Sequence, residues 1–381
     1  MPPLRAISSA PAFSGSSGLR RAAGAVIIAG LEGTSLSAVE TAWLKLIRPS
    51  GVILFRRNVE EAAQTHALLK AAIAAVDGPL FRCIDVEGGT VDRLRDLTAP
   101  MPSAAAVGAT RNPLLFREHG RLIGQEIRML GLNTTFAPVL DLRTDWSEPV
   151  MTTRVVSGDP VEVTRYAGEF LKALAHAGVL GCGKHFPGLG SGSVDSHHST
   201  PRIARPFDLL WKEDLLPYRR LARRLPFVMI SHAGYPLTEG GEEPASVSRF
   251  WTTEVLVEQI GFQGLIVSDD MEMGGILTQT SLADAVVRAV LAGTHLIEIC
   301  RDPALVLTAF ETLLSEAERS PAFARRLRQS AASIESFERR RLKADRFPAP
   351  PDAGAVAQAR EETRRFTAKI DRLGSGKEMP A

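Results

Sequence analysis

The chain has 381 residues, 45% of them hydrophobic, and its 45 basic and 43 acidic side chains leave a net charge of only +2. That is enough chain for one large core, such as a barrel of about 250 residues with insertions and tails, and the near-neutral balance without a long basic block argues against nucleic acid or an anionic membrane surface as partner. The three cysteines, Cys83, Cys182 and Cys300, lie in apolar runs and form no C-x-x-C pair, so buried free thiols in a reducing compartment are expected.

Residues 1–21, rich in Ser, Pro, Gly and Ala without a period, read as a flexible leader. Arg20-Arg21 before the apolar run 22–30 raises the question of an export signal, but a small-residue cleavage pattern and a polar spacer are missing. No apolar run reaches the ~20 residues of a membrane span. A soluble, cytoplasmic monomer is therefore expected.

Residues 24–29 read as the first strand. Ser37 and Glu40 form a capping-box pattern at the head of a helix that Pro49 stops, and residues 51–55 are the second strand. A helix over 60–76 leads to the third strand, 80–84, tipped by Asp85-Val86-Glu87-Gly88-Gly89. The fourth strand is 133–139, followed by Asp141 and a long loop containing Arg154. Asp159-Pro160-Val161-Glu162 then opens a helix with Val163, Ala167, Phe170, Leu171 and Leu174 at helical spacing, and Gly178 ends it before the fifth strand, 179–183.

A helix near 209–224 precedes the sixth strand, 227–230, tipped by Ser231-His232. A helix over 254–260 precedes the seventh, 264–267, tipped by Ser268-Asp269-Asp270, and a helix over 282–292 delivers the eighth, 295–300. Eight strands alternating with helices through right-handed crossovers predict the α/β class and a (β/α)8 TIM-type barrel over residues 22–345. A charged helix, 355–373, and a tail complete 346–381. A doubly wound open sheet is the alternative, but no G-x-G-x-x-G follows the first strand.

The segment 184–201, KHFPGLGSGSVDSHHSTP, concentrates ionisable groups, three alternating glycines and two prolines. Lys184 and His185 fall at a strand tip, the end where parallel α/β proteins bind ligands, and Gly188, Gly190 and Gly192 suit a loop that folds over a ligand and reopens. Asp195 and His197, two apart, project to one side of an extended chain. The carboxylate can then hold one imidazole nitrogen, raise the ring's pKa and aim the other nitrogen at a partner. Alone, the triplet reads more readily as two loop residues bonded to each other or to backbone. In a barrel, however, Asp85, Lys184, His185, Asp269 and the loop bearing His197 share one rim. His185, His197, His198 and His232 show neither H-E-x-x-H nor H-x-x-E-H spacing, so neither a metal nor another cofactor is expected.

Five motifs in order, GVILF-x-x-N at 51–58, ID-x-EGG-x-V-x-R at 84–93, FAPVLD at 136–141, KHFPG-x-G…DSH at 184–197 and GF-x-G-x-I-x-SDD-M at 261–271, resemble the family 3 glycoside hydrolases. Within them, the chain is similar to the single-barrel bacterial β-N-acetylglucosaminidases of cell-wall recycling, from about Gly24 to Arg301. The resemblance implies Asp269 as nucleophile, Asp195 and His197 as an acid/base dyad, and Asp85, Arg93, Arg154, Lys184 and His185 as the sugar-binding set. It implies a carbohydrate substrate of the muropeptide or chitooligosaccharide type. The chemistry agrees, because retaining hydrolysis needs one carboxylate to attack the anomeric carbon and a second group to protonate the leaving oxygen, then deprotonate water. Asp269 and Asp270 point to opposite sides of an extended chain, so only one faces the sugar.

The chain departs from the family pattern at Leu189, where a second histidine is usual, at Thr90, often an arginine, and at His295, usually acidic. Two alternatives stay open. One is a family 3 enzyme of other sugar preference, or one using phosphate instead of water; the other is a sugar-binding barrel that has lost catalysis.

Overall fold

In the computed structural model, which describes residues 15–145, 151–192 and 200–375, eight parallel strands form a closed ring. They are β1 (Ile27–Gly30), β2 (Gly51–Leu54), β3 (Phe81–Ile84), β4 (Thr134–Thr135), β5 (Leu180–Phe186), β6 (Phe227–Ile230), β7 (Leu265–Asp270) and β8 (Leu296–Ile299). Each pairs with its sequence neighbours, and Ile27 opposite Ile297 closes the ring. Side chains on both faces of these strands are buried, which is why they read as continuous apolar runs rather than as alternating ones.

At the end of the barrel where the strands begin, Phe81 and Phe227 meet edge to face with centroids 5.3 Å apart. Phe337, from the helix Pro321–Arg341, lies 5.4 Å from Phe227 and caps that end. The open end, where the strands finish, is left for polar residues.

The helix expected over 254–260 begins earlier, as the π-helix Phe250–Gln259, and three further elements differ from expectation. The leader expected over 1–21 is helical where it is described, as Gly15–Ala25, with Leu19, Ala22 and Ala23 buried. Its small residues permit close packing rather than disorder: a Cβ on Gly24 would lie 1.7 Å from the Ile47 carbonyl oxygen. The first strand consequently starts at Ile27. The fourth strand pairs regularly only over Thr134–Thr135, because Pro138 has no N–H to give the ladder, although Val139 bridges to Lys184. The helix expected over 209–224 is two, Phe207–Lys212 and Leu216–Leu221, with Pro217 in the first turn of the second.

The charged C-terminal helix spans Ala353–Gly374 and packs on the barrel through buried Phe366 and Ile370. Thr363 Oγ1 donates to Glu126 Oε1 at 2.5 Å. Arg360 donates to the carbonyls of Leu97 and Thr98, and Thr367 to that of Pro100.

Candidate active site

Asp85 ends β3, and the chain turns at once into a hairpin, Val86–Gly88 against Val91–Asp92. The turn needs glycine: Gly88 and Gly89 have φ of 88° and 64°, and a Cβ on Gly88 would stand 2.2 Å from the Pro102 oxygen. This hairpin buries Glu87 and presents Arg93 to the barrel mouth. Arg93 Cζ lies 5.7 Å from the Phe55 ring centre, and its buried Nε has no hydrogen-bond partner among the described residues.

Lys184 and His185 end β5, joined by a cis peptide bond. Lys184 Nζ reaches Asp85 Oδ1 at 2.8 Å and Glu87 Oε1 at 2.7 Å. Arg154 meets Glu87 with a two-pronged contact, Nε to Oε2 and Nη2 to Oε1, both 2.8 Å, and its Nη2 approaches His185 Nε2 at 3.3 Å. Burial alone would favour a neutral Glu87, but the two cations outweigh it and hold the carboxyl far below its ordinary range. Burial likewise opposes the charge on Lys184, and Asp85 with Glu87 overcomes it, raising the ammonium's pKa. The cluster is thus a locked array of charges in a nearly water-free wall.

Asp141 fixes the other side of His185. Its Oδ2 is 2.7 Å from Nδ1, and Oδ1 accepts the Leu189 N–H at 2.7 Å. Leu189, at the family's histidine position, is buried and lines the cavity. Two of the three glycines nearby are demanded by shape: Gly188 has φ of 137°, and a Cβ on Gly190 would sit 1.9 Å from the Leu142 oxygen.

Asp269, near the end of β7, faces this array. Burial works against its ionisation, but the His185 and His232 rings, the Asp270 N–H and Lys184 outweigh burial and hold it below the usual carboxylate value. Asp270 is the opposite case: burial, then the charges of Glu272 and Asp269, push it up to about 7, although its Oδ1 accepts the Glu272 N–H at 3.1 Å. Near neutral pH the pair therefore divides into a firm anion and a half-protonated neighbour.

Asp85, Arg93, Arg154, Lys184, His185 and Asp269 line one cavity of about 370 Å³. Its volume falls within the ~300–1,000 Å³ of small-molecule sites. Asp195 and His197 lie in 193–199, outside the described residues. Glu87, Asp141 and Glu298 are absent from the set read from sequence. Glu87 and Asp141 could have been flagged as acidic groups at strand ends, and Glu298 as a lone carboxylate inside an apolar strand. Of the departures, Thr90 hydrogen-bonds Thr153 at 3.1 Å, and His295, pushed down to about 3 by burial, accepts the Ile266 N–H at the start of β8.

The barrel, with a polar cavity and an ionised carboxylate at its open end, is of a kind suited to hydrolytic chemistry on a small polar ligand. The glycosyl hydrolase family 3 N-terminal domain matches residues 24–334. A β-hexosaminidase of Pseudomonas aeruginosa is 37% identical over 285 residues, which are 74% of this chain and 85% of that protein. The structure of a family 3 β-N-acetylglucosaminidase from Paenibacillus sp. superposes with a TM-score of 0.86 at 29% identity, covering 92% of this chain and 68% of that one. NagZ from Neisseria gonorrhoeae, in complex with N-trifluoroacetyl-D-glucosamine, gives 0.74 at 27% identity, covering 92% and 98%. The chain belongs to glycoside hydrolase family 3. Along its barrel it is similar to enzymes named for β-hexosaminidase activity.

Proposed function

We propose that this protein is a β-N-acetylhexosaminidase that removes terminal non-reducing N-acetyl-β-D-glucosamine from peptidoglycan-derived fragments, with retention of configuration. The observation that carries the reading is Asp269, kept anionic at the edge of a cavity whose opposite wall is the Asp85–Lys184–Glu87–Arg154–His185 array. Asp269 attacks the anomeric carbon as the glycosidic bond breaks. His197, with Asp195 as the dyad partner that the family resemblance implies, gives its proton to the departing oxygen, then takes one from the water that hydrolyses the glycosyl-Asp ester and frees Asp269.

Asp85 and Lys184 suit sugar hydroxyls, with His185 beside them. Arg154 is committed to Glu87, so Arg93, with its unpartnered Nε, is the better donor for the acetamido oxygen. The relatives' names favour the acetamido sugar. Buried free Cys83, Cys182 and Cys300 fit a reducing compartment such as the cytoplasm, and no helix among the described residues is long and apolar enough to cross a membrane.

A panel of nitrophenyl glycosides, with the released anomer followed by NMR, tests the reading. N-Acetyl-β-glucosaminide should be cleaved far faster than β-glucoside or β-xyloside, with the β-anomer appearing first. Equal or better cleavage of the glucoside would remove the acetamido assignment, and initial α-anomer would remove retention. GlcNAc linked to anhydro-N-acetylmuramic acid should also be a substrate.

A further inference from the structure

Glu298 stands in the middle of β8, where Leu296, Ile297 and Ile299 are fully buried. It is itself 3% exposed, and it lines the same cavity as Asp85 and Asp269. The Cys300 thiol donates to Glu298 Oε1 at 3.0 Å, while Oε2 is buried with no hydrogen-bond partner among the described residues. An open buried carboxyl oxygen is destabilising, and an apolar side chain would suit the strand better. Packing therefore gives no reason for a carboxyl at this position, whereas a ligand in the cavity does.

Acidic groups dominate its surroundings: Asp85 ends β3, Asp269 and Asp270 end β7, and the buried thiols of Cys83, Cys182 and Cys300 lie nearby. The cations of the same cavity are Arg56, Arg57, Arg93, Arg154, Lys184 and Arg301, of which Lys184 is engaged by Asp85 and Glu87, Arg154 by Glu87, and Arg57 by the carbonyls of Leu31 and Cys300. Burial, then the neighbouring carboxylates, push Glu298 well above its ordinary value, which favours the neutral acid. Because Oε1 already accepts the thiol, the acid proton sits on Oε2.

We propose that Glu298 is a substrate-positioning, specificity-determining residue whose carboxylic acid Oε2–H donates a hydrogen bond to a hydroxyl of the bound sugar. This rests on the cavity being the sugar site. The bond would be lost twice over in a deoxy sugar, since the sugar loses its acceptor and the acid is left unpaired.

The test uses the full chain with Glu298→Gln, which keeps shape, neutrality and an N–H donor, and Glu298→Met, which keeps volume alone. Calorimetric binding of N-acetyl-D-glucosamine and of its 3-, 4- and 6-deoxy analogues is measured beside turnover and Tm. Wild type and Glu298→Gln should discriminate against one deoxy analogue by about 10-fold or more. Glu298→Met should bind the parent sugar about that much more weakly, lose that one discrimination, and melt no lower than wild type. Sugar binding by wild type should also weaken at alkaline pH as Glu298 ionises, and Glu298→Gln should not show that limb. Unchanged binding by Glu298→Met, or equal losses in both variants accompanied by a lower Tm, overturns the assignment. Binding that follows the expected pattern without turnover would retain this role and overturn only the hydrolase reading; a wild type that binds none of these sugars overturns both.

Discussion

Asp269 and Asp270 are adjacent carboxylates that the surroundings drive apart, one held low by His185, His232 and Lys184 against burial, the other pushed up to about 7. Asp269→Ala should lower kcat by about 10⁴-fold or more with the circular dichroism spectrum unchanged. Asp270→Ala should cost roughly 10-fold, through the turn that its Oδ1 holds at Glu272, whereas Asp270→Asn, which keeps that acceptor, should be milder. A folded Asp269→Ala protein with full activity would end the nucleophile assignment. His197→Ala should slow substrates with basic leaving groups much more than nitrophenyl glycosides, since only the former need a proton to depart; equal losses would leave His197 a positioning role. Removing one partner of a buried ion pair typically costs ~3–5 kcal/mol, so Arg154→Met should lower Tm as well as raise KM. An unchanged Tm would show that Glu87 relies on Lys184 alone. At this scale the sequence displayed the polar strand ends, because each follows an apolar run. It could not display their pairing: that Lys184 shares Glu87 with Arg154, or that Asp141 ties His185 to Leu189, depends on barrel geometry.

Strands and the helices at 38–47, 62–76, 160–176 and 282–292 were legible because apolar periodicity and caps are local signals, as Ser37 with Glu40 and Asp159 before Pro160 illustrate; the helices Pro113–Met129, Pro303–Arg319 and Pro321–Arg341 were not read from sequence. What failed were segments governed by contacts with distant chain. The Ser-, Gly- and Ala-rich stretch 1–21 reads as a flexible leader but is helical from Gly15 where it is described, and the fourth strand is cut short by a proline that hydropathy alone does not weigh. Docking of the last helix belongs to the same group, since it depends on distant partners, Leu97, Thr98 and Pro100 for Arg360 and Thr367, and the buried acid Glu126 for Thr363. Glu126 is pushed up to about 8 by burial, so the folded protein keeps a proton that the unfolded chain sheds above the ordinary value of 4.5. The stability this contributes is fully present below about 4.5 and is lost as pH rises through about 8. Glu126→Gln, which keeps the acceptor for Thr363, should therefore stabilise the fold at pH 8 by on the order of 1 kcal/mol, seen as a higher Tm, and much less at pH 5. No gain at pH 8 would mean that Glu126 is ionised and paired in solution.

The whole barrel carries several such acids. Asp214, Asp270 and Glu338 are each raised to about 7, chiefly by burial. Buried His119 and His295, lowered to about 3, act in the other direction, but chiefly below the ordinary imidazole value of 6.5, where the unfolded chain takes up protons they refuse. Between pH 6.5 and 8 the acids predominate, so Tm by calorimetry should fall across that interval. A flat or rising Tm there would contradict the burial assigned to these carboxyls. The closed ring itself was legible from eight strand signals, all but the first followed by a polar tip. The last helix has a practical consequence for anyone shortening the protein. It grips the carbonyls of Leu97, Thr98 and Pro100, directly behind the hairpin that leads into Arg93. A version ending at residue 345 would retain every side chain that lines the pocket and yet present them on an unbraced wall. Trimming the tail to obtain a minimal enzyme should therefore sacrifice grip on the sugar before it sacrifices the chemistry.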